Sequence, residues 1–262
     1  MIDQAAINPL YTVSGFAVGL LVGLTGVGGG SLMTPLLVLI FGIHPATAVG
    51  TDLLYAAVTK SVGTAVHGFN GTVDWRVVRR LASGSAPATA LTVLLLYVLG
   101  THGAPSAHLI SVVLGFAVLL TAVLLLIRGW LIAKLGERIG PEGPRNAAML
   151  TVVTGVVLGV LVSLSSVGAG ALGVTALFLL YPRMPAARIV GSDIAHAVPL
   201  TLLAGVGHWM LGSVDWHLLL SLLTGSIPGI VVGSLIAVRV PDRVIRPALA
   251  CVLILVGGRL VF

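Results

Sequence analysis

Gly26-Val27-Gly28-Gly29-Gly30-Ser31 interrupts an otherwise unbroken apolar run from Leu10 to Phe41. Glycine lacks a Cβ, so consecutive glycines let the backbone leave helical geometry and bare its peptide groups. Hydrocarbon tolerates bared peptides only where protein or a wet cavity surrounds them. A weaker copy, Ser166-Val167-Gly168-Ala169-Gly170-Ala171, follows 140 positions later, from 26 to 166.

The surroundings of both stretches decide the class. The chain has 262 residues, 57% hydrophobic and 8% charged, which does not suit a soluble surface. Its apolar runs are continuous over about 20 residues and do not alternate in segments of about 10, so helices are favoured over a barrel. They run approximately from Leu10 to Gly26, Ser31 to Phe41, Thr47 to Phe69, Val77 to Leu99, Ala107 to Ile127, Ala147 to Leu164, Ala171 to Tyr181, Arg188 to Leu211, His217 to Val238 and Val244 to Phe262. The pieces that follow the glycine stretches are too short to cross a hydrocarbon core of roughly 30 Å and read as half-helices.

The two halves repeat. At an offset of 140, Gly15, Gly19, Gly28 and Gly30 meet Gly155, Gly159, Gly168 and Gly170. At an offset of 141, Gly50-Thr51-Asp52 meets Gly191-Ser192-Asp193 and His67 meets His208. Gly71-Thr72-Val73-Asp74-Trp75 meets Gly212-Ser213-Val214-Asp215-Trp216, and Gly84-Ser85-Ala86-Pro87 meets Gly225-Ser226-Ile227-Pro228. Apolar similarity alone does not keep Asp, His and Trp in register, so the chain reads as a duplication. The expected units are 1–127, a cytoplasmic interfacial linker over 128–146, and 147–262. Trp130, Leu131, Leu135 and Ile139 suggest a short surface helix in the linker, stopped by Gly140-Pro141-Glu142-Gly143-Pro144.

Loop charge sets the expected topology. The formal charge of +6 is spread over short loops with no basic face, which argues against nucleic acid and for positive-inside orientation. If each glycine-broken segment returns to its starting side, every loop cation considered except Arg259 falls on one face. That face is then cytoplasmic, both termini are outside, and the repeat is inverted. The fold expected is an all-α polytopic membrane protein, an inverted repeat of two halves. Each half has a glycine-broken re-entrant or half-helix pair plus three spans. The first ten residues lack a basic n-region, so the first apolar segment is expected to stay in the mature protein.

Few residues could carry chemistry. Helices starting near Ser31 and Ala171 would present free N–H groups and partial positive charge, which favours an anion where two such ends meet. This makes Gly28, Gly29, Gly30, Ser31, Gly168, Ala169, Gly170 and Ala171 candidate substrate-binding residues, against the alternative of close helix packing. Lys60 is the only lysine or arginine deep within an expected span, and it reads either as an anion-binding or gating group or as an ion-pair partner of Asp52 or Asp193.

Thr51 and Ser192 read as helix N-caps with Asp52 and Asp193 in the first turn, or as lining with the acids in coupling or gating. His67 and His208 near span ends are interfacial tips or a proton-linked gate, with His196 a weaker candidate. No histidine–carboxylate cluster has metal spacing, no nucleophile has a convincing base, and no cofactor is expected. The single Cys251 excludes an internal disulfide.

Together these residues resemble the sulfite exporter TauE/SafE family of membrane permeases. The resemblance is carried by Gly19 to Pro35, by Pro45-Ala46-Thr47-Ala48-Val49-Gly50-Thr51, by Gly71 to Trp75, and by their echoes in the second half. It implies a non-enzymatic transporter in the cytoplasmic membrane that moves a small sulfur-containing anion such as sulfite or an organosulfonate, usually outward. The alternative kept beside it is a permease for a cation or neutral metabolite that uses Asp52 and Asp193. The second glycine motif is weaker, with Ala169 and Ala171 at the positions of Gly29 and Ser31 and Thr175 at that of Pro35.

Overall fold

The computed structural model describes residues 7–25, 30–69, 71–100, 104–135, 144–237 and 242–261. Among them the chain is all helix and turn. The helices are α1 (Pro9–Thr25), α2 (Gly30–Leu39), α3 (Pro45–Phe69), α4 (Trp75–Leu99), α5 (Ala104–Leu135), α6 (Pro144–Ser165), α7 (Ala171–Leu180), α8 (Ala186–Met210), α9 (Trp216–Ala237) and α10 (Asp242–Val261). Each expected apolar run has its helix. Within five of them lie stretches long and apolar enough to cross a membrane: Trp75–Leu99, His108–Ile132, Asn146–Ser165, Ala186–Met210 and Trp216–Gly233. The ten-residue α2 and α7 reach only about 15 Å, half of a hydrocarbon core.

Two local expectations change. The stretch from Arg128, expected as a separate surface helix, continues α5 without interruption to Leu135. Gly129 alone does not interrupt the hydrogen-bond ladder of this apolar helix; residues 136–143 lie outside the described residues. Thr51 and Ser192 do not cap helices. They are the seventh residues of α3 and α8, so Asp52 and Asp193 stand in mid-helix. Pro45, with a ring that pre-sets helical φ and no N–H to waste, starts α3 six residues earlier.

The caps are the aspartates of the two Asp-Trp motifs. Asp74 accepts from the amides of Arg76 and Val77 at the start of α4, and Asp215 accepts from Leu218 N at 3.0 Å at the start of α9. The hydroxyls expected to cap reach across the repeat to these turns. Ser192 Oγ accepts from Asp74 N at 2.8 Å, and Thr51 Oγ1 accepts from Asp215 N at 3.0 Å.

Helix contacts recur in matched pairs in the same way. A Cβ on Gly15 would overlap the Leu222 carbonyl of α9, and one on Gly155 would overlap the Leu81 carbonyl of α4. Gly84 meets Val152 O and Gly225 meets Thr12 O. These glycines let backbones touch, the form of packing that replaces a hydrophobic drive in lipid. Register fixes direction. Gly15 and Gly19 face Leu222 and Ser226, so α1 and α9 are parallel, whereas Gly50, Leu54 and Gly63 face His208, Gly205 and Ile194, so α3 and α8 are antiparallel. The central core gathers Val49, Leu53, Leu158, Val162, Leu172, Leu200 and others around that antiparallel pair.

The far ends of the α6–α7 and α1–α2 pairs meet. Tyr181, just past α7, hydrogen-bonds Thr151 in the third turn of α6 at 2.7 Å. In the first half the Tyr11 ring packs edge-on against Phe41, with centroids 5.0 Å apart. One end of the α3/α8 pair collects Arg76, Arg79, Arg80, Arg183 and Arg188, the starts of α4 and α8 with their loops. Arg128 lies near the same end, stacked 4.8 Å over the Phe178 ring of α7.

Candidate functional site

The segment between α6 and α7 is the best-described part of the centre. Ser165 closes α6 by donating back to Leu161 O at 2.6 Å while accepting from Val167 N at 3.2 Å. Ser166 has φ 58, and Gly168 and Gly170 have φ 125 and 129, backbone that a side chain disfavours. Helix α7 then starts with no side-chain cap on its amino end. Gly168, Ala169 and Ala171 are buried, so this amino end is held inside protein.

Lys60 reaches this segment from α3. Its ammonium donates to Ala169 O at 2.9 Å; both Asp52 and Asp193 lie within electrostatic reach, and its hydrogen bond goes to neither. Asp52 is fully buried and accepts from the Thr34 hydroxyl of α2 on Oδ2, with Ser166 of the other half beside it. Its Oδ1 has no partner among the described residues.

Asp193 is 1% exposed with both carboxylate oxygens unpartnered among the described residues. It presses on Gly173 of α7, where any Cβ would strike Oδ1, and the nearby cations are Lys60 and Arg128. The structure therefore brings Lys60, Asp52, Asp193 and the 166–171 segment together where the two halves meet. Ser31 is buried in the first turn of α2 and Gly30 opens that helix. Leu32 of α2 packs against a cluster containing Val167 and Ala171. Gly28 and Gly29 lie outside the described residues.

The histidines divide. His196 Nε2 pairs with Ser85 Oγ at 2.9 Å, and the repeat-related position holds the Tyr55 hydroxyl on Ser226. His208, one of the two expected near a span end, is fully buried. Its Nε2–H donates to Ser163 O at 2.9 Å, and the α8–α9 turn covers it by returning Ser213 N to His208 O at 2.8 Å. The His67 side chain lies outside the described residues. Thr34, Ser166 and Gly173 were missed by sequence reasoning. The helix bounds carry the signal for one of them, because α2 and α7 align at an offset of 141, which sets Thr34 opposite Thr175.

No group of three or more metal-ligating side chains occurs among the described residues. The profile described as sulfite exporter TauE/SafE matches residues 11–260. The chain belongs to the TauE/SafE family. Among curated relatives, a probable membrane transporter protein of Bacillus subtilis, YjnA, is 40% identical over 94% of this chain and 97% of its own length. A probable membrane transporter protein of Xylella fastidiosa is 28% identical over 86% of this chain and 83% of its own. A second from Bacillus subtilis, YdhB, is 25% identical over 94% and 97%. No solved structure matches the chain significantly. With its apolar helices, this TauE/SafE chain is a membrane transporter.

Proposed function

We propose that this transporter exports a small sulfur-containing oxyanion, sulfite or an organosulfonate, by alternating access across an inverted repeat in the plasma membrane. The observation that carries the reading is the contact of Lys60 with Ala169, one residue before the uncapped Gly170 at the amino end of α7. An ammonium and the positive end of a helix both face one buried point, and a bound oxyanion is what would relieve their mutual repulsion. Thr51 and Ser192 would line the approach. Asp52, Asp193, His196, His208 and His67 would serve gating or coupling.

The antiparallel course of α3 and α8 supports inversion. A two-fold axis along the membrane normal would leave repeat-related spans parallel, and only an axis in the membrane plane reverses them. Residues 1–127 and 147–262 are the two repeats, joined by the linker, and the arginine-rich end is the cytoplasmic one, which sets both termini outside. Export of an anion from a negative-inside cell gains about 2.3 kcal/mol per charge per 100 mV, so transport would not require proton coupling.

A second reading has one observation in its favour. The two unpartnered oxygens of buried Asp193 would suit a cation or a hydrogen-bonding neutral metabolite. Proteoliposome flux separates the two. Labelled sulfite and organosulfonates should cross and compete with one another. Competition by cations but by no oxyanion would replace the first reading with the second.

A further inference from the structure

The family reading uses the centre of the molecule and takes the arginines at the start of α4 only as a mark of orientation. There Arg76, Arg79, Arg80 and Ser83 line a surface concavity of about 380 Å³. No carboxylate among the described residues forms an ion pair with these guanidinium groups. Asp74, the nearest acid in sequence, is occupied by the helix amides.

Arg80 is held in place. Its Nη1 donates to Tyr181 Oη at 3.3 Å, Tyr181 donates to Thr151 Oγ1 at 2.7 Å, and Thr151 donates to Ala147 O at 2.6 Å. This chain spends the Tyr181 hydroxyl proton on Thr151 and leaves the rest of the Arg80 fork for something else. The repeat does not demand the cluster, since the equivalent positions in α9 are His217, Leu220 and Ser221. Orientation asks for cations at this end of the molecule, but it does not ask for three of them around one concavity.

The same face of α4 changes character with depth. Exposed Trp75 lies one turn before Arg79, at the level an interfacial indole takes. Beyond Ser83 the exposed residues begin with Ala86, Pro87 and Ala90 and continue through Leu91 and Leu94 to the end of the helix. A cationic recess at the interface opens onto a shallow apolar track, which matches a molecule with a phosphate at one end and hydrocarbon at the other. Guanidinium forks bind phosphate oxygens in pairs, and a free oxyanion would have no use for the track.

We propose that the Arg76–Arg79–Arg80 recess binds the phosphodiester headgroup of an anionic phospholipid, with an acyl chain lying along Ala86, Pro87 and Ala90. The purified full-length protein would be loaded in detergent with phosphatidylglycerol or phosphatidylcholine, and the retained lipid counted by native mass spectrometry. Wild type should retain phosphatidylglycerol preferentially, with retention falling as salt rises.

Arg76→Gln and Arg79→Gln should each lower retention by about tenfold, the size of one charge-assisted hydrogen bond. Both side chains are exposed, so the variants should fold, and the salt series tests wild type without them. Arg183→Gln with Arg188→Gln, exposed cations at the same end but outside the recess, should leave retention unchanged. Equal loss in that control would mean diffuse attraction to charge and overturn the site. Equal retention of the two lipids would overturn it as well, and so would full displacement of lipid by soluble glycerol phosphate, which would reassign the recess to a free anion.

Discussion

Lys60 Nζ hydrogen-bonds the carbonyl of Ala169 at 2.9 Å, across a sequence separation of 109 and from one repeat to the other. The bond ties the middle of α3 to the segment that launches α7. Whatever moves the 166–171 segment must also move, or let go of, the lysine.

Lys60→Ala should therefore cut oxyanion flux in proteoliposomes by at least about tenfold, the size of one lost charge-assisted hydrogen bond to substrate. Lys60→Arg keeps the charge but not the compact ammonium geometry, and should retain part of the flux. Unchanged transport in the alanine variant would remove the lysine from the mechanism.

The matched glycine contacts make a stability prediction in pairs. Gly15→Ala and Gly155→Ala should each destabilise the detergent-solubilised protein by about 1–3 kcal/mol, because the new methyl meets a backbone carbonyl that cannot swing aside. Gly129→Ala in α5 meets nothing within 4 Å and should be neutral or stabilising by up to about 1 kcal/mol. Thermal unfolding of the three variants side by side is the measurement. Similar midpoints for all three would mean that the repeat-related contacts are not the tight ones.

How much of this was legible in sequence follows from what each feature depends on. The ten helices among the described residues were readable because each apolar run is bounded by a polar connection or a glycine stretch, and both signals are local. The recurrence of Asp, His and Trp at one offset is visible in the sequence itself, and residues matched by that offset make matched contacts, as in Thr51 with Asp215 and Ser192 with Asp74. Of the two readings kept for Thr51 and Ser192, the capping one fails. Thr-Asp and Ser-Asp look like helix starts, yet Pro45 is the stronger start signal, and Asp74 and Asp215 take the capping role. The burial of His208 was not legible, because it depends on a turn from the next loop closing over the end of α8. Thr34 was missed for a similar reason. Its partner, Asp52, lies 18 residues away on another helix, and only the packing of α2 on α3 joins them.

Asp193 separates the anion reading from the cation reading. Asparagine keeps the volume and removes a charge whose oxygens have no partner, so Asp193→Asn should hold or raise thermal stability. If the cargo is an oxyanion held by Lys60 and the α7 amino end, the variant should keep its half-saturating sulfite concentration, even where a gating role for Asp193 lowers the maximal flux. If the cargo is a cation, the variant should lose its flux. The pair of readouts matters, because flux lost together with stability would report only misfolding. Thr51→Val and Ser192→Ala are read for stability alone, since both residues line the proposed approach. Each strips the acceptor from one buried or half-buried amide and should cost about 1–3 kcal/mol.

The proposed inverted arrangement makes a prediction about sidedness that no single-span argument would make. In a repeat related by an axis within the membrane, corresponding loops must open to opposite compartments. The α2–α3 turn at Gly42 and the α7–α8 turn at Arg183 are such a pair, since 42 and 183 differ by 141. Gly42 has φ +64 and open space around it, so a cysteine there carries some backbone strain but meets no neighbour. Arg183 is exposed, and its cysteine variant disturbs no contact described here. With Cys251 replaced by serine to clear the background, an impermeant maleimide added to intact cells should label Gly42→Cys and spare Arg183→Cys. In inside-out vesicles the order should reverse. Labelling of both from one side would make the repeats parallel, and two helix amino ends could then not converge on one anion from opposite faces.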